Sequence, residues 1–265
     1  MEIDKKHVLL TGASGGIGQA LALALAAKGA RLTLIGRRAE PLETLCTGLS
    51  GEGHRVLTLD LNDMAARAEL AQKLGEQPLD ILINCAGSNQ LGWLSDQTEY
   101  EIEQQLRINL LVPMLLTRQL LNRLNPKQAL IVNIGSSFGA IGYPGYTAYC
   151  AAKFGLRGFS EALRRELSNT STKVIYIAPR ATDTALNSES VRAMNQILGN
   201  RMDSPETVAA VVLRSIARER TETYIGWPER LFVLINKLNS APVTRAIRGQ
   251  LEIIRRYAIE ARSER

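Results

Sequence analysis

A short apolar run that ends in closely spaced glycines constrains this chain more than any other feature. His7 to Thr11 reads as a strand, Gly12-Ala-Ser-Gly-Gly-Ile-Gly18 as a tight turn, and the Ala/Leu-rich stretch Gln19 to Lys28 as a helix. Glycines at 12, 16 and 18 remove the side chains that would hold a phosphate away from the backbone. The helix that follows offers unpaired N–H groups and its positive dipole end at the same spot. The turn either joins strand to helix and binds nothing, or cradles a dinucleotide pyrophosphate with Ser14 and Ile17 as further contacts.

The strand-then-helix alternation continues. Arg31 to Ile35, Val56 to Leu59, Asp80 to Cys85, Ala129 to Ile134 and Lys173 to Ala178 read as strands, and Thr98 to Leu124 and Thr147 to Leu167 as long helical stretches. Such alternation predicts an α/β fold, a doubly wound parallel sheet of Rossmann type with helices on both faces and ligands at the carboxyl ends of the strands. The second strand runs into Gly36-Arg37-Arg38, where an acid would hydrogen-bond the adenosine ribose of NAD. Two guanidiniums there either form a solvated helix start or hold a ribose 2′-phosphate, which favours NADP(H) over NAD(H). The third strand ends at Asp60-Leu61, an adenine contact or, for Asp60, the cap of a helix beginning near Asn62. The fourth ends in Asn84-Cys-Ala-Gly87, whose small residues Ala86 and Gly87 suit a ligand lying across the strand ends. Asn109 interrupts an apolar helical face and is either a structural hydrogen-bonding residue or part of a polar relay.

Ser136 follows the fifth strand, and Tyr149 and Lys153 lie one turn apart on the next helix. A tyrosine titrates near ~10 in water, so work at neutral pH calls for a nearby cation to stabilise the phenolate. Lys153 is placed to supply it. Ser136 is placed to hydrogen-bond the same substrate oxygen, an arrangement suited to acid/base chemistry on a carbonyl or alcohol.

Composition narrows the alternatives. The 265 residues, 45% hydrophobic and 22% charged, contain no linker-like segment, so a single domain is expected, with a catalytic core over 1–226 and a C-terminal helical extension over 227–265. Three cysteines without metal or redox spacing predict a reducing compartment and no metal site. With no signal-peptide pattern, that gives a cytoplasmic location, peripheral at a membrane if the extension binds lipid. A net charge of +6 without zinc spacing or an aromatic RNA-reading motif argues against nucleic acid.

Taken together, Thr11-Gly-Ala-Ser-Gly-Gly-Ile-Gly18, Asn84-Cys-Ala-Gly87 and the ordered set Asn109, Ser136, Tyr149 and Lys153 resemble the short-chain dehydrogenase/reductase family over roughly residues 5 to 226. The resemblance implies that Tyr149 is the general acid/base, that Ser136 orients the carbonyl, that Lys153 assists Tyr149 and binds the nicotinamide ribose, and that Asn109 holds a relay water. Tyr149, Lys153, Pro179, Thr182 and Thr184 then join the cofactor contacts. A carbonyl or secondary alcohol on a largely apolar molecule is the expected substrate, and a homo-oligomer the expected assembly. An NADP(H)-binding protein with a regulatory or membrane-surface role is the competing reading, against which the intact catalytic set argues.

Two departures from the family pattern stand out. Pro179-Arg180 replaces the usual Pro-Gly, and Thr182 a usual Val or Ile. Arg180 is either a cation at the substrate mouth or the partner of Asp183. The other departure is the extension, where Leu231, Leu234, Ile235 and Leu238 mark one apolar face and Ile247, Leu251, Ile254 and Ala258 a second. Arg245, Arg248, Arg255 and Arg256 lie off the second face. Such a segment over 228–262 either lies on an anionic membrane or packs on the domain or a second subunit. The five apolar residues Leu231 to Ile235 need burial, which favours packing.

Overall fold

The computed structural model describes residues 1–264. Seven strands form one sheet among them: β1 (His7–Thr11), β2 (Arg31–Gly36), β3 (Arg55–Thr58), β4 (Ile81–Asn84), β5 (Ala129–Ile134), β6 (Thr172–Ala178) and β7 (Glu222–Tyr224). Their order is β3-β2-β1-β4-β5-β6-β7 and every pairing is parallel. Winding therefore reverses between β1 and β4, which makes that crevice the expected ligand site.

Because parallel strands are covered on both faces, their residues alternate between two cores. Val8 and Leu10 of β1 and Ile81 and Ile83 of β4 face α1 (Gly16–Ala26), α2 (Ala39–Thr47) and α8 (Pro205–Arg218), through Leu21, Leu25, Leu42, Val208 and Val212. Leu9 and Leu82 face α3 (Met64–Lys73), α5 (Val112–Leu120) and α6 (Thr147–Glu166), through Leu70, Leu116 and Leu163.

The long helical stretch from Thr98 is not one helix. Thr98 caps α4 (Glu99–Leu106) in a reciprocal box with Glu101, a π-turn follows at Arg107–Leu111, and α5 resumes beyond it. π-turns of this kind concentrate at functional sites. The helix expected near Asn62 begins instead at Met64. Its cap is Asp63, which accepts from the Ala65 amide at 2.8 Å, while Asp60 accepts from the Asn62 amide at 2.9 Å in a local turn.

After α7 (Glu189–Ile197) and α8, the chain adds β7 and then α9 (Glu229–Leu238), α10 (Ala241–Arg248) and α11 (Leu251–Ser263). The extension is packed on the domain. Ile254, Tyr257, Ala258 and Ala261 of α11 join Leu91, Tyr146, Cys150, Val191 and Met194 in a third core. The second apolar face predicted from sequence is thus buried in part, but the chain breaks between α10 and α11, so Ile247 belongs to a different helix from Ile254. The first face does not behave as expected. Val233, at 3% exposed, is the residue α9 buries, whereas Leu231, Leu234 and Leu238 stand outward.

Candidate active site

The β1 end is built for close approach of a ligand. The Thr11 hydroxyl accepts from the amides of Cys85 and Ala86, both at 3.0 Å, and so ties the end of β1 to the segment after β4. Gly12 has φ +67°, and a Cβ there would sit 2.7 Å from Ala86 Cα. A Cβ on Gly18 would sit 2.1 Å from the Gly12 carbonyl oxygen, so neither position admits a side chain. The sequence placed the helix start at Gln19, yet α1 begins at Gly16, inside the motif. No side chain caps α1 and no acid stands in its first turn, which leaves its N-terminal amides for an anion. Ser14 lies against Gly36 at the end of β2, and the exposed Arg37 and Arg38 follow immediately. Neither arginine has a carboxylate partner among the described residues. Leu61 is buried beside β3. These features fit a dinucleotide laid across the strand ends.

The buried side chains beneath the crevice form a continuous polar chain. Asn84 donates to Asn133 Oδ1 at 2.8 Å and to Thr117 at 3.2 Å, Asn133 donates to Ser160 at 2.8 Å, and Ser160 donates to the Leu156 carbonyl at 2.7 Å. The Asn84 side-chain amide therefore directs its N–H donors into this buried chain. Asn109, fully buried on the π-turn, donates to the carbonyls of Ser88 at 2.8 Å and Gln105 at 2.9 Å and accepts from the Ser88 amide at 3.3 Å. Its amide fixes the segment after β4 beside Gly87.

Ser136, Tyr149 and Lys153 meet as their spacing predicts. The Lys153 ammonium lies 5.7 Å from the centre of the Tyr149 ring and donates to the Ile134 carbonyl at 3.1 Å. The Ser136 hydroxyl accepts from the Phe138 amide at 3.1 Å and hydrogen-bonds the Tyr149 side chain. Electrostatics depart from the simple expectation that Lys153 lowers the phenol. Burial pushes Tyr149 up to about 12 against the Ser136 hydrogen bond, and burial carries Lys153 down to about 8. Desolvation outweighs the mutual effect of the two groups.

Tyr176, which sequence reasoning missed, locks the serine in place. Its hydroxyl donates to the Ser136 carbonyl at 3.2 Å and accepts the Ser136 amide at 3.3 Å. The available signal was a tyrosine near the end of an apolar strand, since a buried phenol must find a partner there.

A cavity of about 410 Å³ opens above these groups. Ser136, Tyr149, Pro179, Thr182 and Thr184 reach it from the core. Phe138, Tyr143, Val191, Met194, Phe232, Ile235, Val243 and Ile247 supply apolar walls, four of them from the extension. Asn236 of α9 donates to the Ala140 carbonyl at 2.9 Å, and Tyr143 donates to Gln250 at 3.4 Å, so the extension is tied to the loop that carries Ser136. Thr182 is buried with its hydroxyl on the Arg180 carbonyl, and Thr184 packs on Gly16 and lines the cavity with Ile17. Arg180 is neither the free cation nor the partner of Asp183. It pairs with Asp203 at 2.7 and 3.0 Å and with Glu229 at 3.2 and 3.3 Å, while Asp183 pairs with Arg192. The large side chain that replaces a glycine here clamps the loop after β6 to the start of α9.

Comparison with known proteins agrees with this geometry. The family model described as short chain dehydrogenase matches residues 6–195. Nodulation protein G of Rhizobium sp. (strain N33) is 35% identical over 219 residues, covering 80% of this chain and 89% of that protein. A Burkholderia phymatum short-chain dehydrogenase/reductase solved with NAD superposes with a TM-score of 0.82 at 21% identity, over 90% of this chain and 95% of that one. A Burkholderia cenocepacia J2315 short-chain dehydrogenase solved with NADP gives 0.79 at 20%, over 93% and 99%. The glycine turn, the ordered Asn, Ser, Tyr and Lys, the strand order and these matches together establish that the chain belongs to the short-chain dehydrogenase/reductase family of carbonyl–alcohol oxidoreductases.

Proposed function

We propose that this protein is an NADP(H)-dependent reductase of a carbonyl carried on an apolar molecule, and that Asn109, Ser136, Tyr149 and Lys153 serve its chemistry. The observation that carries the cofactor preference is the pair of exposed guanidiniums, Arg37 and Arg38, standing without carboxylate partners where an acid would read a ribose hydroxyl. Gly12, Ser14, Gly16, Ile17 and Gly18 would hold the pyrophosphate of such a cofactor, Asp60 and Leu61 its adenine, and Ala86, Gly87, Pro179, Thr182 and Thr184 its nicotinamide end. The bound nicotinamide supplies the hydride. Tyr149, held protonated well above neutral pH, donates a proton to the carbonyl oxygen, which favours the reductive direction. Ser136 orients that oxygen, and the ammonium of Lys153 steadies the charge that develops on the phenol as its proton leaves. The side-chain amide of Asn109 is already engaged, so any relay through this residue uses its backbone.

The apolar cavity walls support a hydrophobic substrate, and the extension that supplies half of those walls supports a substrate bound beneath a helical cover. A homo-oligomer and a peripheral contact of the extension with a membrane complete the reading, the latter because it would bring the site to a lipid-dissolved substrate.

The test is a pair of binding titrations. Arg37→Asp should weaken NADPH binding by about ten- to a hundredfold, the range of one charge-assisted hydrogen bond, and change NADH binding little. Equal losses for both cofactors would sink the assignment.

A further inference from the structure

The outer face of α9 and the pocket beside it have the character of a surface made for an anionic lipid bilayer. Arg214 and Arg218 stand one turn apart on α8, and Arg220 and Arg230 complete the rim of a cavity of about 330 Å³ floored by Ser215, Thr223 and Tyr224. Like charges at this spacing repel. None of the four guanidiniums has a carboxylate partner among the described residues, and the acids nearest in sequence are already engaged. Glu219 is held by Lys173 and the N-terminus, Glu222 by Arg157 and Lys237, and Glu229 by Arg180.

Beside this pocket runs an apolar stripe. Leu231, Leu234 and Leu238 recur at helical spacing on α9, with exposed Trp227 just before the helix, and Leu234 and Leu238 are 55% and 82% exposed. Trp227 and Arg230 line the arginine pocket themselves, so stripe and pocket are continuous. Ile235, at the edge of this stripe, and Phe232 beyond it wall the active-site cavity. One helix therefore borders the substrate cavity through Phe232 and Ile235 and presents exposed leucines beside it.

We infer that this surface docks on an anionic membrane, the leucines and Trp227 entering the headgroup boundary and the four arginines holding lipid phosphates. The inference rests on the apolar-substrate reading above and names the partner that reading needs. It also narrows the membrane contact expected from sequence over 228–262, because the apolar face of α11 is already buried in the domain. A second copy of the chain is the less suitable occupant, since a two-fold contact centred on this face would bring two four-arginine clusters into one interface.

Sedimentation of the full chain with phosphatidylglycerol/phosphatidylcholine vesicles and with pure phosphatidylcholine vesicles, at low and high salt, tests the inference. Binding should require the anionic lipid and weaken with salt. Arg214→Gln with Arg218→Gln should reduce it about twenty-five-fold, at roughly fivefold per basic residue. Leu234→Ser with Leu238→Ser should also reduce it, and both double variants should melt like the parent because all four side chains are exposed. No anionic-lipid binding, or binding unchanged in both variants, overturns the inference. So does a concentration-dependent dimer in sedimentation velocity that Leu234→Ser with Leu238→Ser abolishes, because the occupant is then a second copy. NADPH titration of the same samples keeps the two readings apart: lost lipid binding with intact NADPH binding refutes the docking surface alone.

Discussion

Replacing Lys153 by methionine should stabilise this protein while disabling it. Lys153 is 5% exposed, its ammonium donates a hydrogen bond to the Ile134 carbonyl, and it has no carboxylate partner among the described residues. Burial carries its pKa from 10.5 to about 8. At about 1.4 kcal/mol per tenfold change, keeping this lysine charged in the fold costs about 3 kcal/mol at neutral pH. Methionine matches the length of the side chain and removes the charge, but leaves the Ile134 carbonyl without this donor, a loss of about 1 kcal/mol. The net expectation is a gain of about 2 kcal/mol at pH 7, read from urea unfolding of the two proteins. The pH dependence identifies the cause. The folded pKa lies below the unfolded one, so the wild-type penalty is complete below about pH 8 and shrinks as pH rises toward 10.5. The advantage of Lys153→Met should shrink over the same interval and give way to a deficit of about 1 kcal/mol, the lost hydrogen bond to Ile134. A variant less stable than wild type at pH 7, or a gap that does not change between pH 8 and 10.5, would refute the desolvation argument.

Other substitutions probe the supports of the site. Arg180→Ala leaves Asp203 and Glu229 without their shared cation. Because the cluster is partly exposed, the expected cost is about 2 kcal/mol, below the range for fully buried pairs, and an unchanged urea midpoint would contradict it. Gly18→Ala drives a Cβ into the Gly12 carbonyl and should either unfold the chain or abolish binding of both NADPH and NADH. Normal binding of either by this variant would contradict the proposed pyrophosphate path. Tyr176→Phe removes two hydrogen bonds from the Ser136 backbone, so turnover should fall more than NADPH affinity, and equal falls in the two would contradict a positioning role for this tyrosine.

What could be read from the sequence was local. The β1-turn-α1 unit, the six longer strands and the Tyr149–Lys153 spacing all depend on residues within a few positions of one another, where periodicity and glycine placement are decisive. β7 spans three residues, too few for a period, and pairs with β6 only because α8 returns the chain there. Arg180 illustrates the same limit. Its partner in the neighbouring sequence, Asp183, was the obvious candidate, but the structure supplies acids 23 and 49 residues away. The outward face of α9 was misjudged because an apolar run was taken to require burial, when Val233 alone of its five residues is buried and Phe232 stays 45% exposed even at the cavity. For Tyr149 and Lys153 the spacing was right and the electrostatics were not, because sequence shows which charges are neighbours but not how far both are removed from water.

The most direct test of the account is turnover of wild type and Tyr149→Phe with NADPH against a panel of apolar ketones, aldehydes and acyl thioesters, alongside NADPH binding to both proteins. Wild type should oxidise NADPH with at least one member of the panel. Tyr149→Phe should lose about a hundredfold or more of that rate while binding NADPH within about twofold of wild type. Comparable turnover by the phenylalanine variant would show that this phenol does not move the proton, and the proposed chemistry of the site would be wrong.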